Sequence, residues 1–220
     1  MFTKKTFLAA LAAASLSIGV GHANLISNGS FGTGDLTNFT VANYGANGGT
    51  GSSYLETVSS FDVTGSGTQN AAKFEVGLTG GGYGGSSVGG ISLSQAFFTT
   101  GGTVNFSANI AADNEGNLDV GTYVVYIDST NIASYAFGSH LESGIFRGVL
   151  FGSDVLSSGT HDLTIDIYRN YYYSGGFTPL QYIANIDLEG DQTSSVPEPG
   201  SLALLGLGLA GLGFSRRKKS

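Results

Sequence analysis

Val104-Asn105-Phe106-Ser107-Ala108-Asn109-Ile110 alternates apolar and polar residues without a break. A period of two places Val104, Phe106, Ala108 and Ile110 on one face of an extended chain and the polar residues on the other. Leu163-Thr164-Ile165-Asp166-Ile167-Tyr168 repeats the pattern. Tyr123-Val124-Val125-Tyr126-Ile127 is more continuously apolar, as a central strand is. Ile91 to Phe98, Ile132 to Phe137, Phe146 to Phe151 and Tyr182 to Leu188 add further strands, and no helical stripe appears between residues 24 and 195. Of 36 glycines, 29 lie in that span, clustered with Asn between the alternating segments. Many short strands with turn residues between them predict an all-β sandwich or barrel.

The chain has no cysteine, so packing alone must hold this body. Phe61, Phe74, Phe97, Phe106, Phe146 and Phe151 are the expected aromatic core, each contributing ~1.5–3 kcal/mol when fully buried. Between residues 24 and 195 there are three basic residues (Lys73, Arg147, Arg169) against fifteen acidic ones, a net charge of −12. Such a body repels nucleic acid and anionic lipid, and its polar quota is otherwise filled by Ser, Thr, Asn and Gly.

Both ends read differently from the middle. Lys4 and Lys5 precede an apolar run from Phe7 to Val20 and then Gly21-His22-Ala23. That is the plan of a secretory signal over residues 1–23, cut between Ala23 and Asn24 after passage through the Sec translocon. At the other end Val196-Pro197-Glu198-Pro199 leads into an apolar run from Leu202 to Phe214, closed by Arg216, Arg217, Lys218 and Lys219. Thirteen residues make a helix of about 20 Å, short of the ~30 Å hydrocarbon core. Four glycines within the run weaken it as a lasting span. The basic tail acts as a stop signal that keeps its own end cytoplasmic and the body outside, a transient inner-membrane association.

Residues 196–219 resemble the PEP-CTERM sorting signal of Gram-negative bacteria: Pro197-Glu198-Pro199, a glycine-interrupted apolar helix and an Arg/Lys tail, in that order. The resemblance implies cutting near Pro197–Pro199 by a membrane-embedded exosortase, in a bacterium that makes extracellular polysaccharide and biofilm. The body carries a second resemblance. Asn24-Leu25-Ile26-Ser27-Asn28-Gly29-Ser30-Phe31-Gly32-Thr33-Gly34-Asp35-Leu36 is similar to the opening of galactose-binding, carbohydrate-binding-like jelly rolls, and Tyr182-Ile183-Ala184-Asn185-Ile186-Asp187-Leu188 is similar to their last strand. This implies a single antiparallel β-sandwich over 24–195 with its first and last strands side by side. Gly32 and Ala184 stand where that family often has the carboxylates of a structural calcium, and Phe39 where Trp is frequent.

Asp113-Asn114-Glu115-Gly116-Asn117-Leu118-Asp119 is a candidate calcium loop, with Asp113, Glu115, Asn117 and Asp119 at alternate positions. A polar turn between strands explains it equally well, because Val124 stands where a bidentate Glu is needed. Gly80-x-Gly82-x-x-Gly85 formally matches a dinucleotide fingerprint, and Gly85-Ser86-Ser87-Val88-Gly89 a nucleophile elbow. Each needs a following helix, which the alternating segment after Gly90 denies. His140 and His161 form no transition-metal pattern. Tyr171, Tyr172 and Tyr173, bounded by glycines, are the candidate glycan contacts, because flat rings with hydroxyls stack on sugars. The expectation is a non-enzymatic exported surface or matrix protein that meets exopolysaccharide. Its rivals are a secreted hydrolase using two carboxylates and a self-associating coat protein with an exposed strand edge.

Overall fold

The computed structural model describes residues 23–45, 56–76, 89–116, 119–169 and 179–190. The signal segment before Ala23, the Pro197–Pro199 motif with its apolar run and basic tail, Asn117, Tyr171–Tyr173 and the two glycine motifs, apart from Gly89, lie outside the described residues. Among those described there are eleven strands and no helix: β1 Ala23–Asn24, β2 Thr40–Gly45, β3 Glu56–Phe61, β4 Gln69–Phe74, β5 Gly89–Thr99, β6 Gly102–Glu115, β7 Thr122–Ile127, β8 Thr130–Ala136, β9 Ser143–Leu156, β10 Gly159–Arg169 and β11 Leu180–Gly190. They form two antiparallel sheets. The larger runs β3-β4-β11-β6-β9 with β1 beside β11, and the smaller runs β2-β5-β10-β7-β8.

All seven segments read as strands are strands, most of them longer than the reading suggested; β1, β2, β3 and β4 add four more. The core lies between the sheets. Ile91 and Leu93 of β5, Tyr123 and Val125 of β7, and Leu163, Ile165 and Ile167 of β10 meet Val104, Phe106 and Ile110 of β6 and Ile183, Ile186 and Leu188 of β11. Of the six phenylalanines expected there, Phe74, Phe97 and Phe106 are buried. Phe151 is not. It is 72% exposed on the outer row of β9, while Phe146, of opposite parity, is half-buried and stacks on His140 at 3.9 Å. Phe61 lies on the outside of the larger sheet, stacked on Tyr182 at 3.7 Å.

First and last strands are adjacent, as the jelly-roll resemblance implied. Asn24 pairs with Glu189, Leu25 N donates to Leu188 O at 2.8 Å, and Ile186 N donates to Gly29 O at 2.9 Å. The close approach at Gly29 explains the glycine of Asn28-Gly29-Ser30-Phe31, because a Cβ there would collide with the carbonyl of Ile186. It falls where β11 bulges between Ala184 and Asp187. A cut after Ala23 would remove one ladder pair only. Asn24 would still hold β11, its Oδ1 accepting from Leu188 N at 3.2 Å and its Nδ2 donating to Ile186 O at 3.2 Å.

A buried polar knot joins the sheets at one end. Arg169 Nε donates to Asp119 O at 2.6 Å and its Nη1 to Val76 O at 3.2 Å. Gln181 accepts from Val76 N at 3.0 Å and donates to Val120 O at 3.1 Å. Each bond satisfies a backbone group that no ladder reaches.

Candidate functional site

β10 is the centre of the smaller sheet, so its outward row is flanked on both sides. Alternation turns Leu163, Ile165 and Ile167 inward and leaves Asp162, Thr164, Asp166 and Tyr168 facing out. On β5, Ser94 and Ser92 stand opposite Thr164 and Asp166. On β7, Tyr126, Val124 and Thr122 stand opposite Thr164, Asp166 and Tyr168. Ser92 Oγ donates to Asp166 Oδ1 at 2.5 Å, which fixes the carboxylate at the middle of the face. Tyr126 and Tyr168 are half-buried and sit on neighbouring strands four residues apart in register. At ~3.3 Å per residue and ~4.8 Å between strands, that offset places them roughly 14 Å apart. The result is a face with Ser92, Ser94, Thr164 and the Asp166 carboxylate between two rings, Val124 beside that carboxylate and Asp162 beyond Tyr126, a surface that can stack on and hydrogen-bond to a polyhydroxylated chain.

The outward face of the larger sheet is of another kind. The 62–68 turn folds over one end of it: Val63 is buried against Tyr182, and Asp62 pairs with Arg147 at 3.4 Å. The open part carries Asn105, Ser107 and Asn109 on β6 beside Asp187 and Glu189 on β11. Partial burial, with Glu189 nearby, raises the Asp187 carboxyl above its usual range.

Of the calcium candidates, Asp113, Glu115 and Asp119 lie among the described residues and Asn117 lies outside them. Asp113 faces outward on β6 near Tyr182, whose phenol is pushed up to about 12 by burial and then by that carboxylate. Glu115 is exposed at the strand end. Asp119 is buried, its Oδ1 accepting from Gly121 N at 3.1 Å and its carbonyl held by Arg169. No three carboxylate, histidine or cysteine side chains converge among the described residues. At the opening loop, Asn28 Nδ2 donates to Asp35 O and Thr37 O at 3.1 and 3.0 Å, and Thr33 Oγ1 donates to the Asp35 carboxylate at 2.7 Å. Of the tyrosines that follow one another toward residue 173, the described face presents only Tyr168. The Thr-x-Asp-x-Thr-x-Asp-x-Tyr spacing of 160–168 was the signal that could have found it, with Tyr126 following from the antiparallel partner.

No curated protein matches the chain. Among solved structures it is similar to the enzymatically active domain of bacteriophage CBA120 tailspike protein 4, at 15% identity and a TM-score of 0.46 over 75% of this chain and 21% of that one. It therefore spans about a fifth of that protein's length. It is also similar to TmCBM61 in complex with beta-1,4-galactotriose, at 13% identity and a TM-score of 0.47 over 76% and 97%. A further likeness is to a family 16 carbohydrate-binding module, at 14% identity and a TM-score of 0.41 over 75% and 99%. At its C-terminal end the chain carries the PEP-CTERM protein-sorting motif over residues 195–218, which marks it as an exported, exosortase-processed protein of Gram-negative bacteria.

Proposed function

We propose that the exported β-sandwich is a non-enzymatic surface or matrix protein that binds extracellular polysaccharide on the outward face of its smaller sheet. The observation that carries this is the Asp162-Thr164-Asp166-Tyr168 row of β10, completed by Tyr126 across the ladder. The chain leaves the cytoplasm through the Sec translocon, loses residues 1–23, is held at the inner membrane by the 202–214 segment and is released into biofilm material by exosortase cutting near Pro197–Pro199. Tyr171, Tyr172 and Tyr173, which follow β10 in sequence, are the further candidate glycan contacts.

The test is binding of the purified mature protein to polysaccharide from the producing cells, compared with a Y126A/Y168A variant and a Tyr171–Tyr173 triple-alanine variant. A stacked ring is worth ~0.5–1.5 kcal/mol, so losing each of the two weakens binding up to about tenfold. Absence of wild-type binding, or equal binding by Y126A/Y168A, would sink the reading. One observation favours a hydrolase instead: Asp187, with its raised carboxyl, stands two residues from Glu189 on the same face. New reducing ends released by the wild type and abolished in D187N would establish that alternative.

A further inference from the structure

β9 is a long edge strand. It pairs with β6 over fourteen residues, Ser143 to Leu156, with no register shift, and β6 is its only ladder partner among the described residues. Natural edges are blunted by shortness, bulges, proline, lysine or other charges; β9 is long and has no bulge, proline or lysine, and its charges are Arg147 and Asp154 alone. Its outward row reads Ile145, Arg147, Val149, Phe151, Ser153, Val155, and the four apolar members are exposed, Phe151 by 72% and Val155 by 75%.

We propose that β9 pairs with β9 of a second copy of this chain, joining two larger sheets edge to edge. The row is self-complementary in one antiparallel register. With Leu150 on the two-fold axis, Val149 faces the other copy's Phe151 and Ile145 faces its Val155, while Arg147 faces Ser153. Each apolar residue meets an apolar one and no like charges meet. The same register keeps every outward side chain on one face, as a paired sheet requires. Elsewhere the body carries a net charge of −12 and repels its own kind, whereas Ser143 to Leu156 carries one Arg and one Asp. A strip ~46 Å long and ~10 Å wide covers roughly 460 Å² per partner, about half of a standard interface. The dimer is therefore weak in solution and is favoured where copies are crowded on a surface.

The experiment uses the mature protein in sedimentation velocity over a concentration series. The wild type should dimerise reversibly and V149K should remain monomeric with an unchanged urea midpoint, because residue 149 is exposed. The chain's lack of cysteine permits a second test. V149C and F151C proteins, mixed under mild oxidation, should form a mixed disulfide faster than either protein alone, since facing residues of an antiparallel pair lie within disulfide reach. A wild type monomeric at millimolar concentration, a V149K protein that still dimerises, or no preference for the mixed disulfide would each overturn the proposal.

Discussion

Tyr123 on β7 shares its phenolic hydrogen between the carbonyls of Tyr182 on β11, at 3.1 Å, and Ala111 on β6, at 3.0 Å, so a single hydroxyl ties the smaller sheet to the larger one through the core. Burial pushes the phenol far above its ordinary range, outweighing the hydrogen bond to Tyr182. Removing the hydroxyl in Y123F should cost about 1–2 kcal/mol at pH 8, read as a lower urea midpoint. The sign above pH 10 follows from linkage. The unfolded phenol ionises there and the folded one does not, so the wild type loses ~1.4 kcal/mol per pH unit from this group. The gap between wild type and Y123F should shrink as pH rises past 10; a gap constant from pH 8 to 11 contradicts the buried tie.

Arg169 holds two carbonyls that no strand reaches, and burial lowers its guanidinium to about 10 despite the nearby Asp119 carboxylate. R169M keeps the length of the side chain and removes the donors. It should cost about 1–3 kcal/mol at neutral pH, because Asp119 O and Val76 O lose their partners. Within a folded depression of this kind stability rises with pH above 10, opposite to Tyr123, so the deficit of R169M should widen at high pH. Equal denaturation midpoints for R169M and wild type at pH 7 would remove the knot from the stability of the fold.

The sandwich was legible because it rests on a local signal, period-two alternation. The adjacency of first and last strands followed only from the jelly-roll resemblance of the two ends, and the Ile186 carbonyl against Gly29 supplies its physical reason. The β9 faces were not legible. Its outward row is apolar, and its inward row carries Gly144, Gly148 and Gly152, so the hydrophobic pattern points the wrong way. Parity alone forbids Phe146 and Phe151 from sharing one core. Arg169 and Gln181 were equally hidden, because a buried polar residue announces itself only through backbone groups contributed by loop segments distant in sequence.

His161 Nδ1 meets Asp128 Oδ2 at 2.8 Å, and its Nε2 lies 3.0 Å from Ser157 O, pinning the β7–β8 turn to the β9–β10 turn. Asp128, then the Ser157 carbonyl, raises the imidazole above 6.5. The His161 bond, then the Asp162 amide, lowers the Asp128 carboxyl below 3.8. The His161 contribution is full below pH 6.5 and fades as pH rises through its folded value. The Asp128 contribution is full above 3.8 and fades in acid. D128N keeps the left-handed backbone and the bond to Asp162 N but drops the charge. It should lose most against the wild type near pH 5.5 and less at pH 8.5, and added salt should narrow the difference. A deficit independent of pH contradicts the assignment.

Gly148 faces Tyr135 of β8, the edge strand of the opposite sheet, and a Cβ there would lie 2.7 Å from the tyrosine Cζ. Gly152 is pressed in the same way by the backbone at Ile132. Glycine on the inner row of β9 therefore lets the two sheet edges close on each other, and that closure leaves Val149 and Phe151 facing out. Gly144 lies on the same row with nothing within 4 Å of the corresponding position. G148A should cost about 1–3 kcal/mol by overpacking. G144A should be neutral, or stabilising by about 0.4–1 kcal/mol through loss of freedom in the unfolded chain. The clash predicts its own rescue: Y135L in the G148A background should recover much of the loss, a coupling that two independent sites would not show. If G148A and G144A have the same thermal midpoint, the seam between β8 and β9 is looser than the Tyr135 contact requires.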